Sequence, residues 1–183
     1  NEIIEFCGKN YLVSAIASDG SSITLRPTDL RIARVGETVP AFSLVLLNGK
    51  TFSSENLKGK NYILDFWATW CAPCIKNIPQ INNLKAEFGK EITVLSVNVD
   101  KVSRRNLADK IIRKYQLFDF SVVRGLGNDD PLWKTFGSAN QNNLLTIPLD
   151  VFVDKNGIVR YADSGGENLG ELKSSIGKQL SSR

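Results

Sequence analysis

Leu64-Asp65-Phe66-Trp67-Ala68-Thr69-Trp70-Cys71-Ala72-Pro73-Cys74 is the stretch on which the fold turns. Tyr62 to Trp67 is a short apolar run, the pattern of a buried strand. Beyond the two cysteines, Ile78, Ile81, Leu84 and Phe88 recur at three- and four-residue spacing, which predicts a helix that Gly89 stops. The cysteine pair therefore stands where a strand hands over to a helix.

Further along, Ile92 to Val99 is almost wholly apolar or β-branched, as a central parallel strand would be. Residues 103–117 predict an amphipathic helix. Residues 125–143 are rich in Gly, Asn and Asp, with a short helix expected near Leu132, Trp133 and Phe136. Leu149–Val153 and Ile158–Tyr161 read as strands around the turn Asp154-Lys155-Asn156-Gly157, and Leu169–Leu180 reads as a closing helix. From residue 60 the expected order is β-α-β-α, a short helical piece, then β-β-α. That is an α/β fold with a central mixed sheet flanked by helices. On the N-terminal side, Asp19-Gly20 marks a hairpin over 11–26 and Asn48-Gly49 a second over 42–52. Residues 1–34 are expected to be an N-terminal β-hairpin extension and 35–183 the main domain, although no composition shift marks the junction.

The chain has 183 residues, 42% of them apolar, enough for a core that needs no disulfide staples. Its net charge of +4 comes from 23 basic and 19 acidic residues, a mild excess. Arg104, Arg105, Lys110, Arg113 and Lys114 form the densest basic stretch, but Leu107, Ile111 and Ile112 lie between them. That is a solvated helix face, and no nucleic-acid partner is expected. No apolar run reaches the roughly 18 residues of a membrane span. The chain carries no Met and no leader pattern. The expectation is a processed or trimmed start, with any targeting segment or membrane anchor outside this chain.

The absence of His removes most serine- and cysteine-hydrolase mechanisms, most zinc catalysis and His-ligated haem. The chemistry left is that of Cys7, Cys71 and Cys74. Residues three apart on a helical turn lie within about 5–6 Å, and a disulfide needs Cα atoms about 4.4–6.8 Å apart. Cys71 and Cys74 can thus open and close a bridge with little backbone movement. At a helix N-terminus Cys71 is favoured as a thiolate, the exposed nucleophile, with Cys74 one turn deeper as the resolving thiol. Pro73 falls in the first turn, where its missing N–H costs nothing, and stiffens the loop. Two alternatives stay open. A zinc half-site would need carboxylates to complete it, since no His is available. A purely structural disulfide over so short a loop would add little constraint. Cys7 reads as an inert buried thiol, with a lipid-anchor remnant or a pairing site as alternatives.

The run from Leu64 to Cys74 resembles the active-site run of the thioredoxin superfamily. The longer chain resembles its TlpA-like (ResA-like) branch of thiol–disulfide oxidoreductases. Val35-Gly36-Glu37-Thr38-Val39-Pro40-Ala41-Phe42-Ser43-Leu44 resembles the pre-domain segment of that branch, residues 41–52 its extra strands, and Asp154-Lys155-Asn156-Gly157-Ile158-Val159 its second-to-last turn. The likeness spans about residues 35–182. It implies a thioredoxin-like fold, with Cys71 as nucleophile and Cys74 as resolving thiol. Trp70 would shield the pair, and Asp65 would be the buried carboxylate that relays protons to the deeper cysteine. Pro148 would be a cis-proline facing the disulfide, and Ile147 would offer backbone hydrogen bonds to an incoming peptide. It implies no cofactor and no metal. The implied partners are protein disulfide or dithiol substrates and a membrane-borne thiol reductant. The implied setting is periplasmic or otherwise extracytoplasmic, with cytochrome c maturation one task consistent with it. Residues 118–146 depart from the pattern; Gly125–Pro131 and Ser138–Asn143 are expected to form a longer loop near the site.

Two other functions fit the same fold. A peroxiredoxin-like peroxidase would use one attacking cysteine in a Pro/Thr-rich turn beside an Arg. A non-enzymatic binding module would keep its Cys71–Cys74 bridge closed under strong reductant.

Overall fold

The computed structural model describes residues 3–7, 9–27, 34–117, 121–136, 146–165 and 169–181. The N-terminal strands are β1 (Ile3–Phe6), β2 (Lys9–Ile16) and β3 (Ile23–Pro27), followed by β4 (Ser43–Val45) and β5 (Thr51–Ser53). The rest comprises β6 (Asn61–Trp67), α1 (Ala72–Phe88), β7 (Ile92–Lys101), α2 (Arg105–Tyr115), β8 (Ser121–Gly125), α3 (Pro131–Phe136), β9 (Leu149–Val153), β10 (Val159–Ser164) and α4 (Leu169–Ser181).

The main sheet has five strands in the order β10-β9-β6-β7-β8. β6, β7 and β8 run parallel, and β9 and β10 are antiparallel to their neighbours. This is the expected mixed sheet with one addition. Ser121–Gly125 is a strand, so the order from residue 60 is β-α-β-α-β-α-β-β-α and not the order the sequence predicts. Five residues without polar alternation give little periodic signal, and pairing with β7 makes them a strand.

The two sides of β6 face different neighbours. Tyr62, Leu64 and Phe66 join a core that takes in Ala108 and Ile112 of α2 and Trp133 of α3. Ile63 faces the other way and packs with Phe152, with Ile81 and Leu84 of α1, and with Leu172 and Ile176 of α4. α1 forms where its apolar spacing predicts. It runs through Pro79 and ends at Gly89, whose φ of 55° suits a residue without Cβ. α2 begins at Arg105 after a 3₁₀ turn over 102–104, and its basic residues are exposed, as its spacing predicts.

Both N-terminal hairpins form. β4 and β5 pair around Asn48-Gly49, and Leu44 and Phe52 enter the core. β2 and β3 pair antiparallel, and β1 adds a third strand that the hairpin reading omitted. The β1–β2 connection is so tight that Phe6 already pairs with Lys9. That tightness puts Cys7 in the left-handed region, with φ of 51°, and leaves it exposed, which corrects its reading as a buried thiol.

Candidate active site

The site is built where β6 ends. Trp67 and Ala68 are buried, the Cys71 N–H donates to the Ala68 carbonyl (3.1 Å), and α1 begins at Ala72. Cys71 is the N-cap of α1, and its Sγ accepts the Cys74 N–H at 3.2 Å. Cys71 and Cys74 are joined by a disulfide with Cα atoms 5.3 Å apart, within the range that spacing of three predicts. Pro73 lies in the first turn, where no intrahelical partner is lost.

One expectation is corrected. Cys71 is 4% exposed, scarcely more than Cys74 at 3%, so it is not an exposed sulfur in the disulfide form. The closed bridge draws its Sγ in over the first turn of α1, against the Cys74 amide. The exposed group is Trp70, at 53%. Trp70 borders a cleft of about 160 Å³ with Val99, Lys101, Ser103, Arg104 and Gly127. Part of the segment 125–131 therefore does stand beside the site; residues 138–143 lie outside the described residues.

The loop leading into Cys71 is fastened by a residue the sequence reading passed over. Asp100, fully buried at the end of β7, accepts the Thr69 N–H (2.8 Å), the Thr69 hydroxyl (3.1 Å) and the Asn98 amide (2.8 Å). Arg104 adds a bond from its Nη1 to Thr69 Oγ1 (3.2 Å). The only hint in the sequence is an acidic residue at the close of an apolar strand.

Asp65 lies in the middle of β6 and is buried. It shares a sheet face with Ile63, the face covered by α1 and α4. Burial pushes its carboxyl up from the ordinary range to about 7. In register with it stand Ser96 of β7 and Asp150 of β9. The Ser96 hydroxyl accepts the Trp67 indole N–H at 2.7 Å. Asp150 is buried too, and its carboxyl is pushed well up by burial first, then by the charges of Asp65 and Asp163. Asp150 is absent from the set of site residues drawn from the sequence.

The peptide bond between Ile147 and Pro148 is cis. Pro148 is buried and directly precedes β9, whose Leu149 pairs with Phe66. Ile147 and Pro148 therefore stand at the end of the sheet from which the cysteine loop departs. Among the described residues, no group of three or more Cys, Asp or Glu side chains is placed to hold a metal ion.

Residues 35–162 match the AhpC/TSA family model. The chain belongs to the AhpC/TSA family. Family membership and the cysteine pair agree with the named relatives. The thiol-disulfide oxidoreductase ResA of Geobacillus kaustophilus is 30% identical over 139 residues, which cover 75% of this chain and 74% of ResA. ResA of Bacillus thuringiensis subsp. konkukian is 29% identical over 147 residues, 79% and 78% of the two chains. Among solved structures, a thioredoxin-family thiol:disulfide interchange protein from Chlorobium tepidum superposes with a TM-score of 0.63 at 25% identity, covering 81% of this chain and 98% of that one. MTB dsbF superposes at 0.60 with 26% identity, covering 75% and 94%. The fold is thioredoxin-like, and this AhpC/TSA member is a thiol–disulfide oxidoreductase acting on protein thiols.

Proposed function

We propose that this protein reduces or exchanges protein disulfides, with Cys71 as nucleophile and Cys74 as resolving thiol. The observation that carries the reading is Cys71 at the N-cap of α1 in a disulfide with Cys74, its Sγ receiving the Cys74 N–H. When the bridge is open, the same amide and the helix dipole stabilise a Cys71 thiolate. That thiolate attacks a client disulfide, one client sulfur leaves as thiolate, and a mixed disulfide forms. Cys74 then loses its proton to Asp65, attacks Cys71 Sγ and releases the second client thiolate. The client gains two electrons and the Cys71–Cys74 dithiol loses two.

Trp70 and the cleft beside it receive the client chain, with Ile147 and Pro148 offering backbone at the facing sheet end. A membrane-borne thiol reductant returns the electrons, and the setting is extracytoplasmic, as the resemblance to the ResA-like branch implies. Residues 1–34 serve as an appended β unit; β1–β3 form a sheet of their own.

The test is a redox titration of the pair, reading free thiols by alkylation across a buffered potential series. A reversible two-electron midpoint near the thioredoxin value of about −270 mV supports a reductant. A midpoint near about −120 mV makes it a disulfide donor and reverses the direction. A single observation speaks for the peroxidase alternative, namely Arg104 reaching Thr69 two residues before Cys71. Hydrogen peroxide consumption with a dithiol reductant would carry it; none is expected, because Cys71 has its partner sulfur on the same helical turn.

A further inference from the structure

The sheet face beneath α1 and α4 is organised in rungs. Val94, Ile63, Phe152 and Tyr161 stand side by side across β7, β6, β9 and β10, and all four belong to one apolar cluster. Two residues further along each strand the next rung is Ser96, Asp65, Asp150 and Asp163. Period two keeps this polar rung on the same face as the apolar one. Directly opposed residues of an antiparallel pair have Cβ atoms about 4.5–5.5 Å apart. Two buried carboxyls thus face the same side at neighbouring positions, with the Asp163 carboxyl half-buried beyond them.

Among the buried side chains of the helices that cover this face, none carries a positive charge to offset two carboxylates. The buried residues of α1 are Cys74, Asn77, Ile78, Ile81 and Leu84, and those of α4 are Leu172 and Ile176, none of them cationic. Glu87 of α1 and Lys173 of α4 pair with each other at 2.8 Å. Lys85 of α1 lines a cavity of about 20 Å³ with Ser96, on the far side of Asp65 from Asp150. From β10, Asp163 acts on Asp150 as a like charge, and from α4 Glu171 acts on Tyr161. Among the described residues, the buried Oδ1 of Asp150 has no hydrogen-bond partner. An ionised carboxylate left so would lose its solvation with nothing in return.

We propose that Asp65 and Asp150 act as a carboxyl pair that holds one proton in the working state, making Asp150 a positioning residue that sets when Asp65 can accept the Cys74 proton. This rests on the reading of Asp65 as the base for Cys74. With one proton on the pair, one carboxyl is neutral and the other charged, since two adjacent buried carboxylates do not both ionise at neutral pH. In the resolving step the Cys74 thiol proton moves to the charged member. The Cys74 sulfur forms its bond to Cys71 Sγ as the bond from Cys71 to the client breaks. The pair, now carrying two protons, returns one to water before the next cycle. The sequence gives no sign of this, because Asp150 lies on a strand that meets β6 only through the chain's return.

The test is a pH titration of the oxidised protein labelled at Asp carboxyl carbons, read by NMR; the closed disulfide keeps both thiols out of it. In the unaltered protein one carboxyl of the pair should stay protonated through neutral pH. Two Asp65 and Asp150 signals that both ionise below pH 5 would overturn the proposal with no variant made. In Asp65→Asn the Asp150 acid constant should rise at least tenfold, because the like charge that helps hold Asp150 protonated is gone. An Asp150 acid constant within twofold of the original overturns the pairing. If Asp65→Asn leaves the pH midpoint for resolving a preformed mixed disulfide in place, the base assignment beneath the proposal fails instead.

Discussion

Asp100 and Thr69 are joined twice, the backbone N–H of Thr69 donating to Oδ2 at 2.8 Å and its hydroxyl to Oδ1 at 3.1 Å. The bond pair ties the loop that presents Trp70 and Cys71 to the end of a central strand. Asp100→Ala leaves the Thr69 and Asn98 donors without their acceptor in buried surroundings. A loss of about 2–4 kcal/mol is expected, at about 1–3 kcal/mol for each buried donor left unsatisfied. Urea unfolding should show a lower midpoint with unchanged slope. Because the loop also sets where Cys71 begins α1, the rate of client reduction should fall together with stability.

The raised Asp65 carboxyl has a consequence for stability against pH. In the unfolded chain an Asp ionises near 3.9, whereas in the fold burial holds Asp65 protonated to about 7. Between those values the folded form binds more protons, so stability falls as pH rises and levels off above the upper value. Urea unfolding of the oxidised protein at pH 4.5, 6 and 8 should show that decline, of a few kcal/mol at most. Asp65→Asn should remove the Asp65 share of it and leave the share of the buried Asp150 carboxyl. A profile that rises from pH 4.5 to 8 in the unaltered protein would contradict the buried, neutral carboxyl.

Division of labour between the sulfurs predicts opposite outcomes for two serine variants. Cys74→Ser keeps the nucleophile and removes the resolving thiol, so it should accumulate a mixed disulfide with a scrambled model protein. Cys71→Ser should accumulate none. Non-reducing electrophoresis reads both. Equal trapping by the two variants would dismiss the assignment of roles.

Asp130 is fully buried and does two jobs. It pairs with Arg124 (Nε to Oδ2, 2.6 Å), and its Oδ1 accepts the N–H groups of Leu132 and Trp133 in the first turn of α3. Arg124→Ala removes the counter-ion and leaves the carboxylate buried, which costs about 3–5 kcal/mol in comparable pairs. The pair lies on β8 and just before α3, and its bonds run to each other and to the first turn of α3, not to the Cys71 turn. The midpoint potential of the cysteines should therefore stay within experimental error while chemical unfolding shifts strongly.

A chain starting at residue 34 should keep the cooperative unfolding transition and the redox couple of the full chain. β1, β2 and β3 pair only with one another among the described residues, and β3 is exposed throughout. Loss of either property on truncation would make the first sheet an integral part of the domain.

Along the chain one could read whatever depends on near neighbours. The Cys71–Cys74 spacing, the α1 periodicity, the Asn48-Gly49 turn and the strand before the cysteines are all local patterns, and local sterics and apolar spacing produce them directly. Distant pairings were a different matter. β8 was missed because five residues carry too little period to declare a strand before β7 offers its edge. Cys7 was misplaced because its exposure follows from the tightness of a turn between two paired strands. Cys71 was expected at the surface, yet closing the bridge over the first turn of α1 buries it. Asp100 and Asp150 gain their meaning from Thr69 and Asp65, residues brought to them by strand register. Burial and charge proximity are properties of such assembled neighbours. A carboxyl in an apolar segment is only a letter until the sheet closes and removes its water.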